Sequence, residues 1–193
     1  FRIGDSKIEF RVSKKMTRFF VLLLVSIIGL SACESNTTTL GPDGNPLPRV
    51  YRISARDEAK VQYRMLDSIN ALRSASGAPE ITLNSNLNAA AATHAIDMKN
   101  QNRPWHFGSD GSSPIDRVAR SGYVGTMLGE NISETYESEL ETLSAWMEQP
   151  DTREIILDRR ATDLGFAWYQ EKNGKLWWTL ILGGAAPQFA NGM

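Results

Sequence analysis

Residues 163–182 read DLGFAWYQEKNGKLWWTLIL, and this stretch decides the fold. Two apolar runs of strand length flank Asn173-Gly174, a dipeptide that signals a tight hairpin, here expected as a type I′ turn. Strands are therefore predicted over 163–170 and 175–182. The second run carries Trp177, Trp178, Leu180 and Leu182 with little polar alternation, as a strand covered on both faces would. Such a strand needs apolar layers above and below it, and the preceding sequence supplies them as helices.

Working outward toward the N-terminus, 152–157 suits a brief helix after Pro150, and 138–148 suits another, with Leu140, Leu143, Ala145 and Met147 apolar. A short strand is expected over 125–133. Pro114 can open a short helix through Arg120, stopped at Gly122. Residues 100–113 are rich in Gly, Ser, Asn, Asp and Pro and read as a loop, with Asp110-Gly111-Ser112-Ser113 as a turn and helix cap. Before that loop, Asn84-Ser85 can cap a helix whose stripe is Leu87, Ala90, Ala91, His94, Ala95 and Met98. An earlier helix begins near Ser54, with Val61, Met65, Leu66, Ile69 and Leu72 on one face, and Gly77 and Pro79 end it. Helices first, then a small, mainly antiparallel sheet with interleaved helices, is an α+β chain. The domain is expected to span 54–187, followed by a tail over 188–193.

The N-terminal region has a different grammar. Residues 16–30, MTRFFVLLLVSIIGL, place one Arg before a short apolar block, and Leu30-Ser31-Ala32-Cys33 closes it. This is the three-part pattern of a secretory signal and resembles a bacterial lipobox, with cleavage expected before Cys33 and lipid on its thiol. The block is shorter than the ~20 apolar residues that span a bilayer. Residues 1–15 do not fit the signal and are read as upstream translation or an artefact, leaving 16–32 as the leader. Residues 33–53 are expected to form a flexible tether, because ESNTTTLGPDGNPLP is polar and Pro- and Gly-rich.

Removing the leader changes the charge. The first 32 residues hold six of the 21 basic groups and two of the 22 acidic ones, leaving 15 against 20 and a net charge of −5. A mildly acidic surface argues against nucleic acid as a partner. One cysteine excludes an intramolecular disulfide, so the core alone must stabilise the fold.

Several elements share an order and spacing with one family: Ile69-Asn70-Ala71-Leu72-Arg73, Trp105-His106-Phe107-Gly108, Asp116-Arg117, Gly122-Tyr123, Gly129-Glu130-Asn131-Ile132, Ala145-Trp146-Met147 and Leu164-Gly165-Phe166-Ala167. In these residues the chain resembles the CAP superfamily (cysteine-rich secretory, antigen 5 and pathogenesis-related proteins) in its short bacterial form. The resemblance implies a three-layer α-β-α sandwich with a shallow cavity lined by two histidines and two acids, which in some members holds a divalent metal such as zinc. By the same resemblance the first histidine maps to His106 and the first acid to Glu130. Thr152 stands where the second histidine belongs, and Gln149 where some members carry the second acid. Imidazole and carboxylate suit zinc, so loss of one histidine leaves at most weak zinc or other divalent binding at His106 and Glu130. No cofactor is required.

The residues also admit plainer roles. His94 on an Ala-rich face reads as a hydrogen-bonded core histidine, and Asp116 with Arg117 as a loop-stabilising ion pair. His106 can order its loop or face the cavity, and Glu130 can accept backbone hydrogen bonds or serve a ligand. The expected function is a non-catalytic, membrane-tethered binding module for an envelope or extracellular ligand: a lipid, a cell-wall fragment or a protein. The tether is lipid-modified Cys33, on the extracytoplasmic side. Glu34 in place of Asp after it leans toward an outer membrane. The alternatives are a peptidase-like hydrolase using His106 and Glu130, or a metal-responsive module.

Overall fold

The computed structural model describes residues 50–186. The expectations for 1–15, the leader over 16–32, Cys33, the tether up to residue 49, and the tail over 188–193 lie outside the described residues. The elements run α1 (Glu58–Ala75), β1 (Thr82–Leu83), α2 (Ser85–Gln101), α3 (Pro114–Arg120), β2 (Thr126–Thr135), α4 (Glu139–Glu148), α5 (Pro150–Leu157), β3 (Ala161–Gln170) and β4 (Leu176–Gly184). The chain is α+β, with a four-stranded sheet ordered β1-β3-β4-β2.

β4 lies between two antiparallel partners, β3 and β2, and all nine of its residues are buried. Its continuous apolar run follows from that position, because both faces are covered. On one face α1, α4 and α5 bring Val61, Met65, Ile69, Leu143, Trp146 and Ile156 against Phe166, Trp178, Leu180 and Leu182. Phe166 and Trp178 stack there with ring centroids 5.2 Å apart. On the other face α2 and α3 bring Leu87, Ala90, Ala91 and Val118 against Ala167 and Ile181. The sheet is thus the middle of three layers. β1, missed in the sequence because it is only two residues long, pairs parallel with β3 at the sheet edge.

The α2 stripe is buried as its periodicity predicts: Leu87, Ala90, Ala91, His94, Ala95 and Met98. Asn84 caps the helix by accepting from the backbone N–H groups of Asn86 and Leu87. Its alanines allow an approach so close that a Cβ on Gly165 would meet the Leu87 carbonyl carbon at 2.3 Å. α1 departs from its stripe in one respect. Arg73 is fully buried and donates to the carbonyls of Pro79, Ile156, Asp158 and Ala161, tying α1 to α5 and the start of β3.

Two expectations require correction. The hairpin turn is not type I′, which needs positive φ at both central residues. Only Gly174 has positive φ, at 103°, and its N–H donates to the Glu171 carbonyl. The geometry is that of a longer loop with glycine in the left-handed bulge position. The flexible tether does not extend to residue 53. The Gln170 amide donates to the Tyr51 carbonyl and accepts from the Ile53 N–H, and Tyr51 and Ile53 pack against the core.

Candidate functional site

β2 is an edge strand, and Glu130 lies on it opposite Ile181 of β4. Successive strand side chains point to opposite faces. Glu130 turns toward the α2–α3 side of the sheet, where three basic side chains surround its carboxylate. Oε1 is 2.9 Å from His106 Nδ1 and 3.8 Å from His94 Nε2, and Oε2 accepts from Arg117 Nη2 at 2.8 Å. The side chains of Glu130 and Arg117 are 2% and 5% exposed, whereas that of His106 is 50% exposed. A buried carboxylate therefore holds one imidazole nitrogen of a half-exposed histidine. Arg117 supports both partners, since its Nη1 also donates to the His106 carbonyl at 2.9 Å.

The loop carrying His106 is held from two sides. Asp97 of α2 accepts from the Ser109 N–H and hydroxyl. Ser113 and Asp116 form a capping box at the start of α3. These bonds fix the ends of the loop and leave Trp105 and Phe107 exposed on either side of His106, with ring centroids 5.6 Å apart. The Arg103 guanidinium lies 3.9 Å from the Trp105 ring centroid, a cation–π arrangement that steadies the indole.

Sequence reasoning missed two members of the cluster. Asp116 is taken by the Ser113 cap, so Arg117 pairs with Glu130 and the expected Asp116–Arg117 ion pair does not form. His94 is fully buried, as its stripe predicts, but it is not the hydrogen-bonded core histidine expected. Neither ring nitrogen has a partner among the described residues. Burial pushes the His94 pKa down and Arg117 adds to that; Glu130, Asp97 and the nearby Trp105 backbone pull the other way. The Trp105 contact falls outside hydrogen-bond geometry. A signal for both residues was present: a histidine at a core position of α2, and an arginine one turn into a capped helix.

Gln149 and Thr152 lie elsewhere. Asn131, adjacent to Glu130 and pointing to the other face of β2, donates to the Thr152 carbonyl. The Thr152 hydroxyl donates to the carbonyls of Trp146 and Gln149, closing the α4–α5 junction. Gln149 is exposed there. No hydrogen bond joins either residue to His106 or Glu130 among the described residues. A separate cavity of about 510 Å3 lies between α2, the loop and α3, and none of these four residues lines it.

The divalent cation implied by the resemblance does not suit this donor set. Glu130 Oε2 is held by a guanidinium and Oε1 by His106 Nδ1, so a cation would have to displace a buried, oppositely charged partner. The Thr152 hydroxyl is already donated. Among the described residues no group of three or more His, Cys, Asp or Glu side chains is arranged to hold a metal ion.

A family model described as "CAP: Cysteine-rich secretory protein family" matches residues 66–182. A Bacillus subtilis protein, "Uncharacterized protein YkwD", is 26% identical over 153 residues, which are 79% of this chain and 59% of that protein. The chain thus spans about three fifths of that relative's length. Two solved structures share the fold. An outer surface protein from Borrelia burgdorferi gives a TM-score of 0.61 at 16% identity, covering 71% of this chain and 99% of that one. An extracellular protein containing a SCP domain from Bacillus anthracis gives 0.61 at 21% identity, covering 69% and 45% respectively.

Proposed function

The chain belongs to the cysteine-rich secretory protein family, and on that premise we propose that it is a non-catalytic binding module tethered by lipid on Cys33 to the extracytoplasmic side of a membrane. Its recognition edge is the loop bearing Trp105, His106 and Phe107. The observation that carries this reading is the commitment of Glu130: both carboxylate oxygens are engaged by buried or ordering partners, so the group positions His106 instead of meeting substrate. Among the described residues no side-chain hydroxyl hydrogen-bonds to His106, so the pair does not have the side-chain nucleophile of a triad. What the loop offers is a fixed imidazole and, from its two chain neighbours, a packed pair of exposed aromatic rings, suited to a ligand with an apolar surface and a hydrogen-bonding group. An envelope lipid, a cell-wall fragment or an exposed protein loop meets that description. The names of the two relatives of known structure, an outer surface protein and an extracellular protein, support an extracytoplasmic setting. Among the described residues no helix is long and apolar enough to cross a membrane. The proposed tether rests on the lipobox-like Leu30-Ser31-Ala32-Cys33 that closes the apolar block.

The test uses the full chain in lipid nanodiscs against purified peptidoglycan and vesicles of envelope lipid. Saturable binding that is lost in Trp105→Ala/Phe107→Ala is the expected result. Binding to none of these, or binding indifferent to that double change, removes the loop as the recognition edge. Labelled palmitate should enter the wild type and not Cys33→Ser; equal labelling refutes the anchor.

One observation favours a second reading. A carboxylate on Nδ1 fixes the imidazole tautomer and leaves Nε2 available, which is how a general base for water is built. Peptide or peptidoglycan turnover that falls to background in His106→Ala would establish the hydrolase; equal background rates in both proteins exclude it.

A further inference from the structure

Residues 33–49, which carry the proposed anchor, lead into the domain at Val50. A Cβ on Gly174 would collide with the Val50 side chain, so the first described residue lies on the hairpin between β3 and β4. Arg52 donates to the Glu171 carbonyl of the same hairpin. The loop bearing Trp105, His106 and Phe107 starts at this end of the sheet too. Lys175 Nζ, in the hairpin, donates to the Asn102 side chain at 3.3 Å, and Asn102 is the residue that closes α2 before the loop. Lys99, in the last turn of α2, lies 5.6 Å from the ring of Tyr169, next to the hairpin. The point where the tether enters and the aromatic edge are therefore neighbours, joined through Lys175. The 17 residues of 33–49 reach at most about 60 Å, so lipid on Cys33 keeps this end of the domain close to the bilayer.

The side chains gathered there have the chemistry of a bilayer interface. Trp105, Phe107 and Tyr136 are exposed, and large aromatics settle at headgroup depth. Tyr136 belongs to this end because it follows Thr135, which pairs with Leu176 at the start of β4. Around them Arg52, Lys99, Arg103 and Lys172 make no ion pair among the described residues. Such stems lie along apolar surface while their charges stay among phosphates. The nearby carboxylates are mostly engaged. Lys175 sits between Glu134 and Glu171, Arg64 holds Glu139, and Ser109 and Gln101 hold Asp97. The start of α1 is neutral, with Arg56 and Lys60 against Asp57 and Glu58. Glu137 remains, exposed and without an ion-pair partner among the described residues. Unpaired charge around the edge is thus predominantly basic, in a chain whose acids outnumber its bases. A cell-wall fragment could also use the aromatic rings, but it gives no reason for them to gather with unpaired cations where the tether enters.

We propose that the Trp105–Phe107 edge docks on the bilayer that holds the anchor, with both rings at headgroup depth and Arg52, Arg103 and Lys172 against lipid phosphates. The inference rests on the proposed tether and narrows the recognition edge to one partner, the lipid surface.

For the test, the full chain is coupled through Cys33, its only cysteine, to a maleimide-headgroup lipid in nanodiscs of phosphatidylglycerol and phosphatidylcholine. Attachment then does not depend on cellular lipidation. Trp146, Trp177 and Trp178 are buried and Trp168 is half-buried, which leaves Trp105 as the exposed indole. Brominated acyl chains should therefore quench tryptophan emission in the wild type, and Trp105→Phe, which keeps a ring at the edge, should abolish the quenching. Arg52→Glu/Lys172→Glu should lower it by about twofold or more, as should salt at about 0.5 M; unchanged far-ultraviolet circular dichroism is the criterion of folding. Equal emission on brominated and plain lipid, quenching retained in Trp105→Phe, or quenching indifferent to charge reversal and salt each overturns the proposal. Slowed backbone exchange over 103–107 with peptidoglycan and not with lipid also overturns it, and gives the edge to the cell wall. None of these outcomes bears on the palmitate test of the anchor or on peptidoglycan binding by Trp105→Ala/Phe107→Ala.

Discussion

Glu130 and Arg117 form a buried ion pair in which each charge depends on the other for solvation. Removing one partner of such a pair leaves an uncompensated charge and typically costs about 3–5 kcal/mol, more than the pair contributes relative to apolar replacements. Arg117→Met is therefore expected to lower unfolding free energy by roughly that amount, and Arg117→Met/Glu130→Gln to recover much of the loss. Urea denaturation of the four proteins in the cycle measures it; additive losses would contradict the pairing. His94 makes the same region sensitive to acid. Its folded pKa lies below the unfolded value of 6.5, mainly through burial. The unfolded chain then takes the proton first, so this contribution is present above pH 6.5 and declines as pH falls toward the folded pKa. Melting temperature should drop between pH 7 and pH 5, and His94→Gln should flatten that drop. An unchanged slope would place the acid sensitivity elsewhere. These two residues also show where reading the sequence stops. His106 and Glu130 were legible only through family resemblance, because 24 residues separate two side chains that meet at 2.9 Å. Arg117 was assigned to its sequence neighbour Asp116, but a capping serine had the stronger local claim on that carboxylate.

At the scale of elements, local chemistry was readable wherever the partner lies within a few residues. Asn84, Ser113 and Ser138 each cap the helix that follows, and Pro114 and Pro150 occupy first-turn positions where a missing N–H costs nothing. The hairpin failed as a type I′ turn because Asn173-Gly174 specifies a reversal without fixing how many residues make it; Glu171 and Lys175 pair around it instead. Glycines set by tertiary contact carry no local mark. Gly165 is such a position, since any side chain there meets the backbone of Leu87. Gly165→Ala is expected to push α2 off β3 and cost about 1–3 kcal/mol, as overpacking does. Asn84→Ala, which removes the cap of the same helix without changing that contact, should cost about 1 kcal/mol. Chemical denaturation separates the two. If Gly165→Ala proved neutral, α2 would have slack that its packing does not suggest.

At the scale of the molecule, the three layers follow from one requirement: a strand apolar on both faces must be covered twice. That logic locates the sheet and the helices but not the point where the packed chain begins. Residues 33–53 read as tether because composition averages over the segment, and its last residues are outnumbered by polar ones. Yet Tyr51 and Ile53 are the first apolar pair after that polar stretch, and both are used. The Tyr51 hydroxyl and Arg64 converge on Glu139, whose side chain is 2% exposed. Burial and the Glu139 carboxylate together push the Tyr51 pKa well up, so the phenol stays protonated and keeps donating. Without Tyr51, Glu139 retains, among the described residues, only Arg64 as a side-chain partner, and that side chain is itself 47% exposed. Ile53 meanwhile packs on the α1–α4–α5 core while its N–H is held by Gln170 near the hairpin. A chain starting at Val50 keeps every contact described for Tyr51 and Ile53. A chain starting at Ser54 should lose about 2–3 kcal/mol, from exposed apolar area and a weakened carboxylate site. Tyr51→Phe in the longer chain isolates the hydroxyl, with an expected loss of about 1 kcal/mol. Identical stability of all three would mean that residues 51–53 rest on the domain without supporting it. A loss confined to the Ser54 start would assign their contribution to Ile53 and the tyrosine ring, and not to the bond with Glu139.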